Sequence, residues 1–211
     1  MRICVSGTQN IGKSTFIKNF LEEFTMYKTP DTSYRDIISK YEINQQATEE
    51  VQREVRDFIS DQAMNYTSAS NIIYDRGILD NAVYSLWKND KDSDAISDGF
   101  IHQSLHMCRE VCKFYDIIFY FPITQHHEVE ITDETKFRDT DSNYREEIDM
   151  LFKAALQTYH KKEDLFFDMR DAPAIIELFG DEEMCMEICK MYLDPATGDV
   201  IEPGTTDLLS V

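Results

Sequence analysis

The stretch "VSGTQNIGKST", residues 5–15, decides the fold. Gly7-Thr8-Gln9-Asn10-Ile11-Gly12-Lys13-Ser14 fits G-x-x-x-x-G-K-[ST] at every position. A short apolar run, Ile3-Cys4-Val5, leads into it. From Lys13 to Phe24 the apolar residues Phe16, Ile17, Phe20, Leu21 and Phe24 keep to one face of a helix. Phosphate binding needs this order. Gly7 turns the chain off the strand, and Gly12 lets backbone N–H groups face phosphate oxygens without a side chain in the way. Lys13 brings a point charge to the β- and γ-phosphates, and the Ser14 hydroxyl reaches Mg²⁺. The helix opening at Lys13 adds its N-terminal dipole. The expected nucleotide contacts are therefore Gly7, Thr8, Gln9, Asn10, Ile11, Gly12, Lys13, Ser14 and Thr15.

Outward from this loop, short apolar runs alternate with longer helical patterns. Met26–Lys28 reads as a weak second strand stopped by Pro30, and Thr48–Tyr66 as an amphipathic helix. Asn71–Tyr74 is a compact strand ending at Asp75, followed by a helix over Ile78–Lys88 and a polar loop over Asn89–Asp98. A helix over Phe100–Phe114 precedes the strand Asp116–Phe121. A polar stretch runs from Pro122 to Asn143, then a helix from Tyr144 to about His160. Leu165–Phe167 reads as the last strand, Ala174–Leu193 as one or two closing helices, and the residues from Asp194 as turn and tail. Strands separated by helices imply crossovers and parallel pairing. The expected fold is α/β, a three-layer α/β/α sandwich around a parallel sheet of about five strands, with a small lid at about 123–143. One domain covers 1–193 and a tail covers 194–211.

Composition bounds the partners. Of 211 residues, 40 are acidic and 21 basic, a net charge of −19. That sign disfavours tight non-specific nucleic-acid binding, though a locally basic cleft stays open. No apolar run approaches the roughly 18 residues needed to span a bilayer, and the N-terminus reads as a strand and not a secretory signal. Five cysteines with no C-x-x-C pair argue for a reducing, cytoplasmic setting without a disulfide framework. His102 with His106, Cys108 with Cys112 and Cys185 with Cys189 are spaced i, i+4, but a structural zinc needs four converging ligands, so no metal site is read there. Adjacent His126-His127 read as solvent-exposed, and "EEMCMEICKMYL" as core or a partner face.

Three further groups of residues carry chemistry. Asp75-Arg76-Gly77 ends a strand where open α/β sheets place their ligands. Asp75 can hold Mg²⁺ or accept a proton from an attacking hydroxyl, and Arg76 can pair with phosphate or the acceptor. The alternative is an Asp cap and a surface Arg pair. In "KFRDTDSNYREEIDMLF", residues 136–152, Lys136, Arg138 and Arg145 stand before and into a helix capped by Asp141 or Ser142. They suit a lid that delivers cations and excludes water. The alternative is a solvated loop with helix-face pairs such as Arg145 with Asp149. In "TPDTSYRDIISKY", residues 29–41, Asp31, Tyr34 and Arg35 can line an acceptor site or simply start a helix.

With GTQNIGKST, IIYDRGILDNAVYS (72–85), DIIFYFP (116–122) and FRDTDSNYREEIDMLF (137–152), the chain resembles P-loop kinases of the ribosylnicotinamide-kinase-like "AAA domain" family. Many members of that family are phage-encoded. The resemblance spans roughly residues 1–180 and implies a P-loop NTPase fold and ATP and Mg²⁺ as cofactors. It puts Lys13 and Ser14 on phosphate and metal, Asp75 as base or metal carboxylate, Arg76 as a phosphate or substrate ligand, and Arg138 and Arg145 as lid arginines. Two positions depart from the family. Lys136-Phe137-Arg138 replaces a glycine-containing DGxR, and Gly77 stands where related kinases often have Ser. The expected activity is Mg-ATP-dependent phosphoryl transfer to a nucleoside, nucleotide or related small metabolite. A kinase of hydroxymethylated pyrimidines in DNA and a regulatory ATPase coupled to a protein partner are the alternatives. The expected location is the cytoplasm, the host's if the protein is phage-encoded, and an oligomer is possible.

Overall fold

A computed structural model describes residues 1–41, 48–124, 142–162 and 164–201. Among these residues four strands form one parallel sheet: β1 (Arg2–Gly7), β2 (Ile72–Asp75), β3 (Ile117–Phe121) and β4 (Ala174–Glu177), in the order β2-β1-β3-β4. Among the described residues six α-helices connect the strands and a seventh follows β4: α1 (Lys13–Glu23), α2 (Tyr34–Tyr41), α3 (Glu49–Asn65), α4 (Ile78–Lys91), α5 (Asp98–Cys112), α6 (Ser142–Gln157) and α7 (Glu182–Tyr192).

Strand alternation sorts the side chains into two cores. Cys4, Ile72, Tyr74, Ile118 and Tyr120 face α3, α4, α5 and α6. Ile3, Val5, Ile73, Ile117, Phe119 and Phe121 face α1 and α7. Both faces of the sheet are covered, which is why its strands read as continuous apolar runs. On α1, Phe16, Phe20 and Phe24 repeat at helical spacing; the Phe20 and Phe24 rings stack at 4.4 Å, and both are fully buried. Truncating such a ring to Ala costs about 3–5 kcal/mol.

The expected architecture holds, with four corrections among the described residues. Met26–Lys28 contributes a single parallel bridge, Lys28 to Ile72, and not a strand, so the sheet has four strands where about five are expected. Leu165–Phe167 is not a strand. The Asp164 carboxylate accepts from the backbone N–H groups of Phe166 (2.8 Å) and Phe167 (3.0 Å), holding those donors in a local turn away from any ladder. The last strand is instead Ala174–Glu177, within a segment that reads as helix. It is an edge strand that follows Pro173 and buries only Ile176 deeply. Finally, α4 continues to Lys91 and α5 starts at Asp98, capped by Ser97 Oγ accepting from Phe100 N at 3.2 Å. This shortens the Asn89–Asp98 loop. Beyond α7 the chain is tied back to the domain by a Leu193–Val200 bridge, and Tyr27 OH donates to Gly198 O at 2.7 Å.

Parallel pairing puts the C-terminal ends of β1, β2 and β3 at one edge, with Val5 opposite Asp75 and Gly7 opposite Phe121. No described helix is long and apolar enough to cross a membrane.

Candidate nucleotide site

The phosphate loop sits where β1 ends between its two neighbours. A Cβ on Gly7 would lie 2.6 Å from Phe121 O, so only glycine lets β1 and β3 stay paired there. Gly12 has φ +89° and precedes α1 with no side-chain cap, while a Cβ on it would meet nothing within 4 Å. The backbone is thus left-handed, beside open space, at the mouth of a helix N-terminus. That is the shape of an anion cradle. Lys13 is 5% exposed; its Nζ donates to Gly7 O (2.8 Å) and to Thr8 O. Burial, helped by the nearby Arg76 charge, pushes this ammonium well below the ordinary lysine range. Ser14 and Thr15 are exposed, and Ile11 is buried.

Asp75 lies across from the loop at the end of β2. One nitrogen, Arg35 Nη2, donates to Asp75 Oδ2 at 2.6 Å and to Ser14 Oγ at 2.8 Å, so the carboxylate and the hydroxyl converge on one point. Asp75 Oδ1 is buried without a hydrogen-bond partner among the described residues. A carboxylate oxygen with unused lone pairs beside a serine hydroxyl fits Mg²⁺, which takes few protein oxygens and completes its shell from phosphates and water. Among the described residues no group of three or more His, Cys, Asp or Glu is placed so that it could hold a metal ion. His102 and His106 are exposed, and the five cysteines are free and buried.

Arg76 is set differently. It has φ +75°, a conformation that costs a non-glycine residue roughly 1–2 kcal/mol. Its Nε donates to Tyr34 OH (2.9 Å), and its Nη1 to Gly7 O (3.3 Å) and Asp80 Oδ1 (3.0 Å). The guanidinium also lies 5.8 Å from the Tyr34 ring and 4.9 Å from the Tyr84 ring. Burial alone would lower its pKa, but Tyr84, Tyr34 and the two aspartates drive it well above the ordinary value. Arg76 is permanently charged and held on three sides.

Asp80 is the residue that sequence reasoning missed. It is 2% exposed and accepts from Gly7 N (3.3 Å), Gly77 N (3.2 Å) and Arg76. One carboxylate therefore joins the phosphate loop, the β2 end and the first turn of α4. The available signal was an acid three residues into a helix that follows D-R-G, a position that caps backbone N–H groups. The glycine at 77 also has a packing reason: a Cβ there would sit 2.5 Å from Cys4 Sγ and 3.0 Å from Tyr115 OH.

Of the remaining expected residues, Arg145 reaches the loop from α6. Its Nη2 donates to Asn10 O at 3.2 Å, its Nε is buried and unpartnered among the described residues, and burial lowers its pKa. It does not pair with Asp149. That carboxylate is taken by Lys153 (2.6 Å), Tyr120 OH (2.8 Å) and Ile123 N (3.0 Å), which pins α6 to the end of β3. Gln9 accepts from Tyr84 OH at 2.6 Å, and burial keeps that phenol protonated. Tyr34 joins the site through Arg76, whereas Asp31 is exposed and makes none of these contacts. Ser142 is the first residue of α6. Lys136, Arg138, Asp141, His126 and His127, with most of the expected lid, lie outside the described residues.

A glycine-rich loop between β1 and α1, faced by a carboxylate at the end of the adjacent parallel strand, defines the P-loop α/β class. A family profile described as "AAA domain" matches residues 2–163, and the chain belongs to that family. No curated protein matches it. Among solved structures, a deoxyadenosine kinase from M. mycoides with products dCMP and dCDP is similar, with a TM-score of 0.59 at 16% identity, covering 90% of this chain and 97% of that one. Thymidylate kinase from Candida albicans gives 0.59 at 19%, covering 90% and 89%. NadR protein in complex with NR gives 0.61 at 13%, covering all of this chain and 54% of that one. At these identities the likeness is one of fold.

Proposed function

We propose that the protein is an Mg-ATP-dependent phosphotransferase acting on a nucleoside, nucleotide or related small metabolite. The observation that carries this reading is the convergence of Lys13, Ser14, Asp75 and Arg35 at the ends of β1 and β2. The fold shared with a deoxyadenosine kinase and a thymidylate kinase supports it.

Phosphoryl transfer asks a protein for positioning and charge. Gly7 to Thr15 would cradle the donor's phosphates, and Lys13 would move its Nζ from the Gly7 and Thr8 carbonyls onto them. Ser14 and Asp75 would hold Mg²⁺, which when bound neutralises phosphate charge and aligns the donor. Arg76, fixed by Asp80, would keep a positive wall beside the loop. Arg145, already on Asn10 O, would supply charge from α6, joined by Arg138. Tyr34 and Arg35 would face the acceptor, with Asp31 at its rim.

Transfer from labelled ATP to a panel of nucleosides, nucleoside monophosphates and ribosylnicotinamide tests the reading. Transfer to one of them is expected, and Lys13→Ala should cut it by about 10²–10³-fold, the size of one lost charge-stabilising donor. Brisk phosphate release to water with no acceptor labelled would replace this reading with a partner-coupled ATPase. Labelling only of DNA containing hydroxymethylpyrimidines would move the acceptor into a polymer.

A further inference from the structure

The contact that stands out after the site is assembled is the one made by Arg35. Its Nη2 holds both protein groups that would take the metal, Ser14 Oγ at 2.8 Å and Asp75 Oδ2 at 2.6 Å. The surrounding charges make the arrangement selective. Among the described residues the charges around Lys13 in this corner are those of Arg35, Arg76, Asp75 and Asp80, and Asp80 is already committed to Arg76 and two backbone N–H groups. Among the described residues Arg35 forms an ion pair with Asp75 alone. A divalent cation on Ser14 and Asp75 would therefore compete with the guanidinium for the same oxygens. It would also leave that guanidinium uncompensated beside two other cations.

Arg35 is also built to leave. Its side chain is 45% exposed, against 13% for Arg76. Its backbone is held by contacts other than this one: Ile37 of α2 is buried, and just before the helix Gln62 Nε2 donates to Thr32 O at 2.8 Å. What draws it away must supply negative charge. Guanidinium forks match phosphate as well as carboxylate, so a phosphate on the acceptor can replace Asp75 as the partner, whereas a neutral acceptor cannot.

We propose that Arg35 is an interlock on the metal site: its guanidinium occupies Ser14 and Asp75 until the phosphate of a nucleoside monophosphate acceptor takes it away. The interlock couples metal loading to acceptor arrival and so suppresses transfer to water. It rests on the phosphotransferase reading and sharpens it to an anionic acceptor.

Mn²⁺ serves as the probe, its binding followed by paramagnetic resonance in the presence of a saturating non-hydrolysable ATP analogue. Arg35→Ala should tighten Mn²⁺ binding roughly two- to fivefold, the range that losing a half-exposed ion pair supports. The analogue is kept saturating for the variant as for the wild type. In the wild type, adding dAMP, dTMP or dCMP should tighten Mn²⁺ to a similar degree for whichever monophosphate binds. The matching nucleosides should do nothing, and neither set should act on Arg35→Ala. Unchanged or weaker Mn²⁺ binding in Arg35→Ala, with analogue binding intact, overturns the interlock. A nucleoside that matches its monophosphate, or no effect from any monophosphate, overturns release by phosphate. A wild type that fails to bind the analogue at all removes the phosphotransferase reading, and the interlock falls with it.

Discussion

Two corners of the cleft each present an arginine beside Asp75. At the end of β2, Arg76 is tied to Tyr34, Gly7 and Asp80 and lies near two tyrosine rings. In the first turn of α2, Arg35 holds Ser14 and Asp75 with one nitrogen. The charge is the same, and burial separates the roles. A guanidinium removed from water must have every contact fixed, so it becomes part of the scaffold. One left half in water keeps its rotamers and can exchange partners at little cost.

The strongest way to break this contrast is through Asp80. Asp80→Ala leaves the buried Arg76 charge without its carboxylate and strips an acceptor from Gly7 N and Gly77 N. It should cost about 3–5 kcal/mol in urea unfolding. Asp80→Asn keeps the shape and one acceptor oxygen and should cost clearly less. A loss below about 1 kcal/mol for Asp80→Ala, the scale of an exposed pair, would show that the β2 corner is not a scaffold.

Asp75→Asn sharpens the contrast from the other side. It should lower phosphoryl transfer by about 10²-fold, in line with removing one transition-state contact. Unfolding free energy should stay within about 1 kcal/mol, because its partner Arg35 is half exposed. Near wild-type transfer would leave Asp75 without a catalytic role and would move the catalytic centre elsewhere.

Lysine substitutions separate the corners more gently. Arg76→Lys loses the fork that reaches Tyr34, Gly7 and Asp80 together and should destabilise by about 1–3 kcal/mol. Arg35→Lys should fall within about 0.5 kcal/mol, as surface substitutions do. Equal losses at the two positions, read from thermal or urea midpoints, would erase the distinction.

The smallest expected effect lies far from both corners. Burial raises the Cys185 thiol from 9.0 to about 11. Above pH 9 the unfolded chain loses this proton while the folded chain keeps it, so stability falls as pH rises from 9 toward 11. Urea midpoints across that window should fall less steeply for Cys185→Ala than for the wild type. Parallel slopes would mean that the thiol is not shielded on α7.

Much of the fold was legible because its signals are local. The glycine spacing of residues 7–12, the aromatic period of α1 and the apolar strand Ile117–Phe121 need no distant partner to be read. Phe166-Phe167 and Ala174–Glu177 were misassigned because short apolar runs look alike. Whether Asp164 captures two N–H groups, or Ile117–Tyr120 offers a ladder to pair with, is a fact about the neighbours. The site divides in the same way. Lys13, Ser14 and Asp75 stand at spacings and strand ends that a sequence displays. Asp80 and the double contact of Arg35 do not, since Arg35 lies 21 residues from Ser14 and 40 from Asp75. By itself the sequence determined a phosphate-binding loop on a parallel α/β sheet, because backbone conformation and periodicity are set within a few residues. Only the tertiary structure decided which arginine is buried among fixed contacts and which stays half exposed. Burial and the closing of long-range hydrogen bonds depend on how separate segments pack.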